Sequence, residues 1–190
     1  MAAVNKTDAI RAILAATTDE PTVFTTGYAS RIACGLDDRP NHFYMTGSMG
    51  LASSIGMGIA QQTGRRTVVV DGDGSLLMNP VGLMTAGALD LLPMIHVVLD
   101  DGSYASTGGQ SVPSGRADLC ALAEACGYQR IHDVDGFDEL RALVSAEVVS
   151  CASPVFIRCA LRGPEAPIPA RVAADLGDHA QRFAATLQCG

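Results

Sequence analysis

Two apolar, largely β-branched runs, Thr67–Val70 and Met94–Leu99, each end in an acidic-glycine turn. The first turn is Asp71-Gly72-Asp73-Gly74-Ser75 and the second is Asp100-Asp101-Gly102-Ser103. Runs this short and this apolar have the length of fully buried strands. The intervening Pro80–Leu91 has the length of a helix. The arrangement predicts a βαβ unit, whose two carboxylate-bearing turns follow the carboxyl ends of adjacent parallel strands. In an open α/β sheet that edge is where ligands bind. Carboxylates, glycines and serines there suit a hard cation carrying a diphosphate, with oxygen ligands for the metal and glycine backbone for phosphate oxygens.

The remaining segments alternate in the same way. Lys6–Thr17 carries Ile10, Ile13 and Leu14 at helical spacing. Thr22–Thr25 is a short strand followed by a helix through about Cys34, and His42–Met45 is the next strand. Leu51–Gln62 is a helix rich in Ala, Ser and Gly. Each Gly there costs roughly 1 kcal/mol of helix stability, which is tolerable where another backbone or a flat ligand comes close. Gly102–Arg116 is a Gly/Ser/Thr loop long enough to be functional. Asp118 caps a helix over Leu119–Cys126, Tyr128–Ile131 is a strand, Phe137–Val149 a helix and Pro154–Cys159 the last strand. A Pro-rich connection, Gly163–Pro169, leads to a terminal helix over Ala170–Leu187. The expected fold class is α/β, a doubly wound, mostly parallel sheet flanked by helices. Residues 1–162 form the domain and 163–190 a helical appendage packed on it or on a partner.

Composition narrows the function. The net charge of −7 argues against nucleic acid. Six cysteines without a C-x-x-C pair read as reduced, buried thiols of a cytoplasmic protein. No apolar run reaches the ~20 residues that span a bilayer, and no signal peptide is expected before the first helix. Twelve of the thirteen basic residues are Arg; the exception is Lys6.

Taken singly, neither acidic turn is specific; their order and spacing are. Gly72-Asp73-Gly74, followed after residues 75–99 by Asp100-Asp101, resembles the thiamine-diphosphate motif, which opens on Gly-Asp-Gly and closes on an Asn pair. TTGYASR, FYMTGSMGLASSIGMGIA, VVVDGDGSLLMN, STGGQ and DLCALAEACGY are similar to the phosphonopyruvate and sulfopyruvate decarboxylases. The resemblance covers about residues 5–160. It implies the diphosphate-binding fold, thiamine diphosphate and Mg²⁺ as cofactors, and decarboxylation of a 2-oxo acid.

The resemblance also implies roles by position. Asp73, Asp101 and the Ser103 carbonyl would ligate Mg²⁺. Gly72, Gly74 and Ser75 would meet the diphosphate, as would Thr26, Gly27 and Tyr28, with Tyr104 nearby. Gly47, Ser48 and Met49 would hold the aminopyrimidine, and the Met49 side chain would prop the bent cofactor between its two rings. Ser106, Thr107, Gln110 and Arg116 are candidates for an anionic substrate. One position departs from the pattern: the family has Asn where this chain has Asp101. The added charge faces an anionic diphosphate, so Asp101→Asn is expected to keep cofactor binding and tighten it.

The same resemblance implies what lies elsewhere. The proton chemistry on the cofactor's pyrimidine uses a Glu from a second, pyrimidine-binding domain. Here Glu20, Glu124, Glu139, Glu147 and Glu165 all fall outside the motif. A separate α subunit is therefore expected, in a hetero-oligomer such as α2β2 or larger, with no role for nucleic acid or membrane. The alternatives are a carboligase of the same cofactor class and a non-catalytic scaffold subunit.

Overall fold

A computed structural model describes residues 3–188. Its strands are β1 (Thr22–Phe24), β2 (His42–Tyr44), β3 (Thr67–Gly72), β4 (Met94–Asp100), β5 (Ser103–Tyr104), β6 (Gln110–Ser111), β7 (Arg130–Val134) and β8 (Val155–Ala160). Its helices are α1 (Lys6–Ala16), α2 (Tyr28–Leu36), α3 (Ala52–Thr63), α4 (Asp73–Met78), α5 (Val81–Gly87), α6 (Leu119–Ala125), α7 (Phe137–Ser150) and α8 (Leu176–Leu187). Six strands form one parallel sheet in the order β2-β1-β3-β4-β8-β7, and β5-β6 is a small antiparallel hairpin. Strand alternation splits the core across the sheet. Val68, Val70, Ile95, Val97 and Leu99 pack on one face with α1, α2 and α7; Val69, Met94 and Val98 pack on the other with α3, α5 and α6. Such a doubly covered parallel sheet explains the continuous apolar runs.

The chain steps from β1 outward to β2, then returns to β3 on the other side of β1. The strand order therefore reverses between β1 and β3, and a crevice opens outside their carboxyl ends. Phe24 pairs with Val70 and Gly72 with Leu99, which sets Thr25, Asp73 and Asp101 around one opening.

Three expectations are corrected. The β3–β4 crossover holds two short helices, α4 and α5, instead of one over Pro80–Leu91. The chain turns into α4 directly at Asp73 because Leu76 has a core site to fill, and Asn79-Pro80 then breaks it. The strand expected at Tyr128–Ile131 runs over Arg130–Val134, because the Tyr128 N–H still bonds back to the Ala123 carbonyl and Gly127 turns with φ +103°. The terminal helix begins at Leu176, not Ala170, where the Asp175 carboxylate accepts from the Gly177 and Asp178 N–H groups.

Of the two readings of the small-residue helix, close packing holds at one position. A Cβ on Gly56 would lie 2.1 Å from Val69 Cγ2, so only glycine lets α3 sit this close to β3. Gly58 faces open space. Among the described residues, no helix is long and apolar enough to cross a membrane.

Candidate functional site

The carboxyl ends of β1, β3 and β4 enclose a narrow cleft of about 50 Å³. Thr26 and Tyr28 come from the first turn, Met49 from the second, Gly72, Asp73, Gly74 and Ser75 from the third, and Asp101 and Ser103 from the fourth. Tyr104 and Ser106 of the hairpin loop close it. Four of the five stretches singled out in the sequence thus contribute, although the residues lie far apart in the chain; DLCALAEACGY does not line the cleft.

Asp73 is almost fully buried. Its Oδ2 accepts from the Gly102 N–H at 3.1 Å and from Ser114 Oγ at 2.6 Å, so it reaches across to the turn that carries Asp101. Burial pushes its pKa up to about 6; the Ser114 hydrogen bond works against that, and Asp100 and Asp101 add to it by repulsion. Asp100 is held by Arg158, with Nε donating at 2.7 Å. Asp101 receives Lys6 Nζ at 2.5 Å on Oδ2 and the Ser103 N–H at 3.2 Å on Oδ1.

The Met49 turn is rigid for identifiable reasons. Ser48 sits in the left-handed region at φ +57° and Gly50 at φ +96°. The Gly50 N–H donates to Ser75 Oγ at 3.1 Å, Asn79 Nδ2 donates to the Gly50 carbonyl at 3.1 Å, and Ser75 Oγ also bonds Thr25 Oγ1 at 2.9 Å. The Ser75 hydroxyl therefore ties three turns together, and its backbone N–H is a further group for the expected phosphate role.

The other expected residues separate into groups. Gly27, Thr107, Thr26 and Ser106 line a second hollow of about 450 Å³ on the far side of the Thr26–Ser106 wall, with Arg31 and Arg171. Gly47 and Ser48 are exposed and, unlike the neighbouring Met49, do not line the cleft. Gln110 is exposed and curls against Gly108. Arg116 is turned behind the Asp101–Gly102 segment into a third hollow with Arg158 and Arg162, because the 3₁₀ turn Pro113–Arg116 spends Ser114 on Asp73 and points Arg116 away. The structure thus brings neither Gln110 nor Arg116 to the cleft. Glu147 is buried in α7 and held by the Arg130 guanidinium. Sequence reasoning missed Lys6, Ser114 and Asn79, whose polar side chains carry no local signal of their distant partners. It also missed the buried Asp71, whose Oδ2 has no hydrogen-bond partner and lies 3.5 Å from His96 Nε2.

The donor set is two carboxylates and a carbonyl, all hard oxygens, which is what Mg²⁺ takes when phosphate oxygens and water complete its shell. Among the described residues, no cluster of three or more His, Cys, Asp or Glu side chains forms a cage by itself. The residues present therefore fit a cation that arrives with its own oxygen ligands. At Gly74 a Cβ would lie 2.3 Å from Tyr104 Cε1, so glycine is what lets the hairpin's Tyr104 ring lie on this turn.

A sheet with this switch point and this acidic opening defines a cofactor-binding domain. The chain belongs to the thiamine pyrophosphate enzymes: residues 25–159 match the model of their C-terminal TPP binding domain. Among named relatives, it is 40% identical over 166 residues to the sulfopyruvate decarboxylase subunit beta of Methanothermobacter thermautotrophicus, covering 87% of this chain and 86% of that one. It is 44% identical over 144 residues to the phosphonopyruvate decarboxylase of Streptomyces viridochromogenes, covering 76% of this chain but 36% of the relative. The chain thus spans about a third of the phosphonopyruvate decarboxylases it matches and most of a beta subunit. An X-ray structure from Mycobacterium smegmatis, assigned as a thiamin diphosphate-dependent enzyme, superposes with a TM-score of 0.62 at 22% identity, over 82% of this chain and 32% of that one. That likeness bears on the fold.

Proposed function

We propose that this chain is the diphosphate-binding, beta-type subunit of a thiamine-diphosphate-dependent decarboxylase acting on a short 2-oxo acid with an anionic group at C3, of the phosphonopyruvate or sulfopyruvate kind. The observation that carries the reading is the convergence of Asp73 and Asp101 with Met49 in one cleft at the sheet's switch point. When bound, thiamine diphosphate supplies an electron sink for the pair left behind as CO₂ departs.

This chain's residues would do the holding. Asp73, Asp101 and the Ser103 carbonyl would take Mg²⁺, and the backbone of Gly74 and Ser75 would meet the diphosphate. Met49, fixed on a turn clamped by Ser75 and Asn79, would support the folded cofactor. The Thr26–Ser106 wall separates this cleft from the hollow with Arg31 and Arg171; Arg31 donates through Nε to the Pro169 carbonyl at 2.8 Å, so Arg171 and the remaining Arg31 N–H groups would meet a doubly anionic substrate. Among the described residues no glutamate lines the cleft, so the acid–base Glu would come from an alpha-type partner. The relatives named as beta subunits support that division.

The test is decarboxylation of phosphonopyruvate and sulfopyruvate by the purified chain, alone and with a pyrimidine-binding partner, with Mg²⁺ and thiamine diphosphate supplied. The chain alone is expected to be inactive and the pair active. Robust turnover by the single chain would sink the reading. Replacing Met49 by Ala in the active pair should lower kcat well beyond any loss of cofactor affinity, because the lost contact governs the reactive conformer.

A further inference from the structure

Lys6 is unusual on several independent counts. It is the single lysine among thirteen basic residues. It occupies the first position of α1, the positive end of a helix, where a cation is disfavoured. Its side chain is only 12% exposed and that of Asp101 11%. An ammonium taken this far out of water needs a partner in good geometry, and Nζ has one, 2.5 Å from Asp101 Oδ2. It also sits 5.9 Å from the centroid of the Tyr28 ring and lines the same cleft as Asp73 and Ser75.

The position is not accidental to a floppy end. Ala9, Ile10 and Ile13 bury α1 in the core, and the Arg162 N–H donates to the Val4 carbonyl at 2.9 Å, fixing the approach to the helix. Lys6 is thereby held against a residue 95 positions away.

Charge bookkeeping gives the pairing a purpose. Asp100 shares Arg158 with Asp133, and Asp101 is paired with Lys6. Of Asp73, Asp100 and Asp101, Asp73 is the one met by hydrogen bonds and no cation; Asp71, which also lines the cleft, accepts the Gly72 N–H and lies 3.5 Å from His96 Nε2. With Lys6 counted, an Asp–Asp pair presents the same net charge as the Asp–Asn pair of the thiamine-diphosphate motif. A carboxylate has about four acceptor sites, so Asp101 can keep Lys6 and the Ser103 N–H and still offer an oxygen to a metal.

We infer that Lys6 is a positioning residue for the metal site: it supplies the counter-charge that lets an aspartate stand at position 101 and orients that carboxylate toward the cation. The inference rests on the cofactor reading proposed above. It reverses the sign expected from sequence alone. Asp101→Asn would strand an ammonium beside Mg²⁺ and weaken binding instead of tightening it.

The test is calorimetric titration of thiamine diphosphate into the assembled complex at several Mg²⁺ concentrations. Wild type is compared with Lys6→Met, Asp101→Asn and the double variant. Each single variant should weaken cofactor binding by about tenfold, with the loss for Lys6→Met growing as Mg²⁺ becomes limiting, and the double variant should return to within about twofold of wild type. Rescue of that kind is not produced by a pair that only braces α1. Unchanged or tighter binding by Lys6→Met, or losses that simply add in the double variant, would overturn the inference. Should Lys6→Met fail to assemble, the nearly isosteric Asp101→Asn decides alone, since unchanged or tighter binding there contradicts the counter-charge role. If wild type itself shows no Mg²⁺-dependent binding, the cofactor reading falls first and this inference with it.

Discussion

The two ends of the β1–β3 neighbourhood solve the burial of polar groups in opposite ways. At the sheet's far edge, β2 would present bare backbone, and α8 covers it. His179 Nε2 accepts the Tyr44 N–H at 2.9 Å, and its ring stacks on Phe43 and Tyr44 with centroids 5.4 and 5.3 Å away. His42 is wholly buried against Phe24 and Tyr44, and burial drives its pKa down to about 4. The two histidines there are held neutral among aromatic rings, and the nearby charges, Arg182 and Asp38, are paired with each other. At the cleft, four carboxylates, Asp71, Asp73, Asp100 and Asp101, crowd two strand ends, and Asp73 is held where it resists ionising. The edge is arranged for the fold's own stability. The opening tolerates internal conflict, which is the mark of a place built to be completed by something else.

The sharpest way to break this contrast is at Asp73. Replacing it by Asn keeps an acceptor for the Gly102 N–H but removes the charged ligand. Cofactor binding in the presence of Mg²⁺ should fall by at least about a hundredfold, while the melting temperature measured without metal should rise. A variant that loses stability and keeps its affinity would show that Asp73 serves the fold.

Acid should separate the two regions next. His42 is neutral in the native state, whereas the unfolded chain takes up a proton near the ordinary histidine value. The stability it contributes is therefore present above about pH 6.5 and lost as pH falls toward 4, on the order of 3 kcal/mol. His179, also lowered by burial, adds in the same direction. Asp73 runs the other way. Its raised pKa means that its contribution is present below the ordinary aspartate range and lost as pH rises through about 6. Hydrogen exchange on the chain without metal, compared between pH 7 and pH 4.5, should show amides of β2 losing protection on acidification while that of Gly102 gains it. Parallel changes in both regions would erase the distinction.

The smallest effect is expected at Arg116. Because it faces a different hollow from the cleft, Arg116→Ala should change cofactor affinity by less than about twofold, within the range of ordinary surface substitutions. A tenfold loss in the same titration would bring it back into the site.

These regions also differed in how far they could be read. The βαβ unit was legible because Val68–Val70 and Met94–Leu99 must be buried on both faces, and the acidic turns could then fall only at their carboxyl ends. The helix at Asp73–Met78 was not, since a Gly-Asp-Gly-Ser string reads locally as a turn and only the core site of Leu76 makes it helical. Asp175 as the start of α8 was overlooked because Val172 continues the apolar spacing, yet it packs on the core from an extended segment. Most of the cleft residues were identified from motif order. Lys6, Ser114 and Asn79 were invisible because each acts through a contact between chain segments that no local pattern encodes. The reach of Arg116 was misjudged for the same reason: a loop's spacing does not say which way its 3₁₀ turn faces.

The Tyr104 ring lying on Gly74 has a kinetic consequence. The turn that would receive a diphosphate is already covered by the β5–β6 hairpin, and the cleft beneath is far smaller than the ~300 Å³ at which small-molecule pockets begin. Cofactor entry is expected to require the hairpin to lift. Reconstitution should then proceed at a rate that climbs with cofactor concentration only until lifting becomes limiting, and levels off as a first-order process thereafter. Release would wait on the same motion, so a loaded complex would hold its cofactor through dilution far longer than its equilibrium affinity suggests.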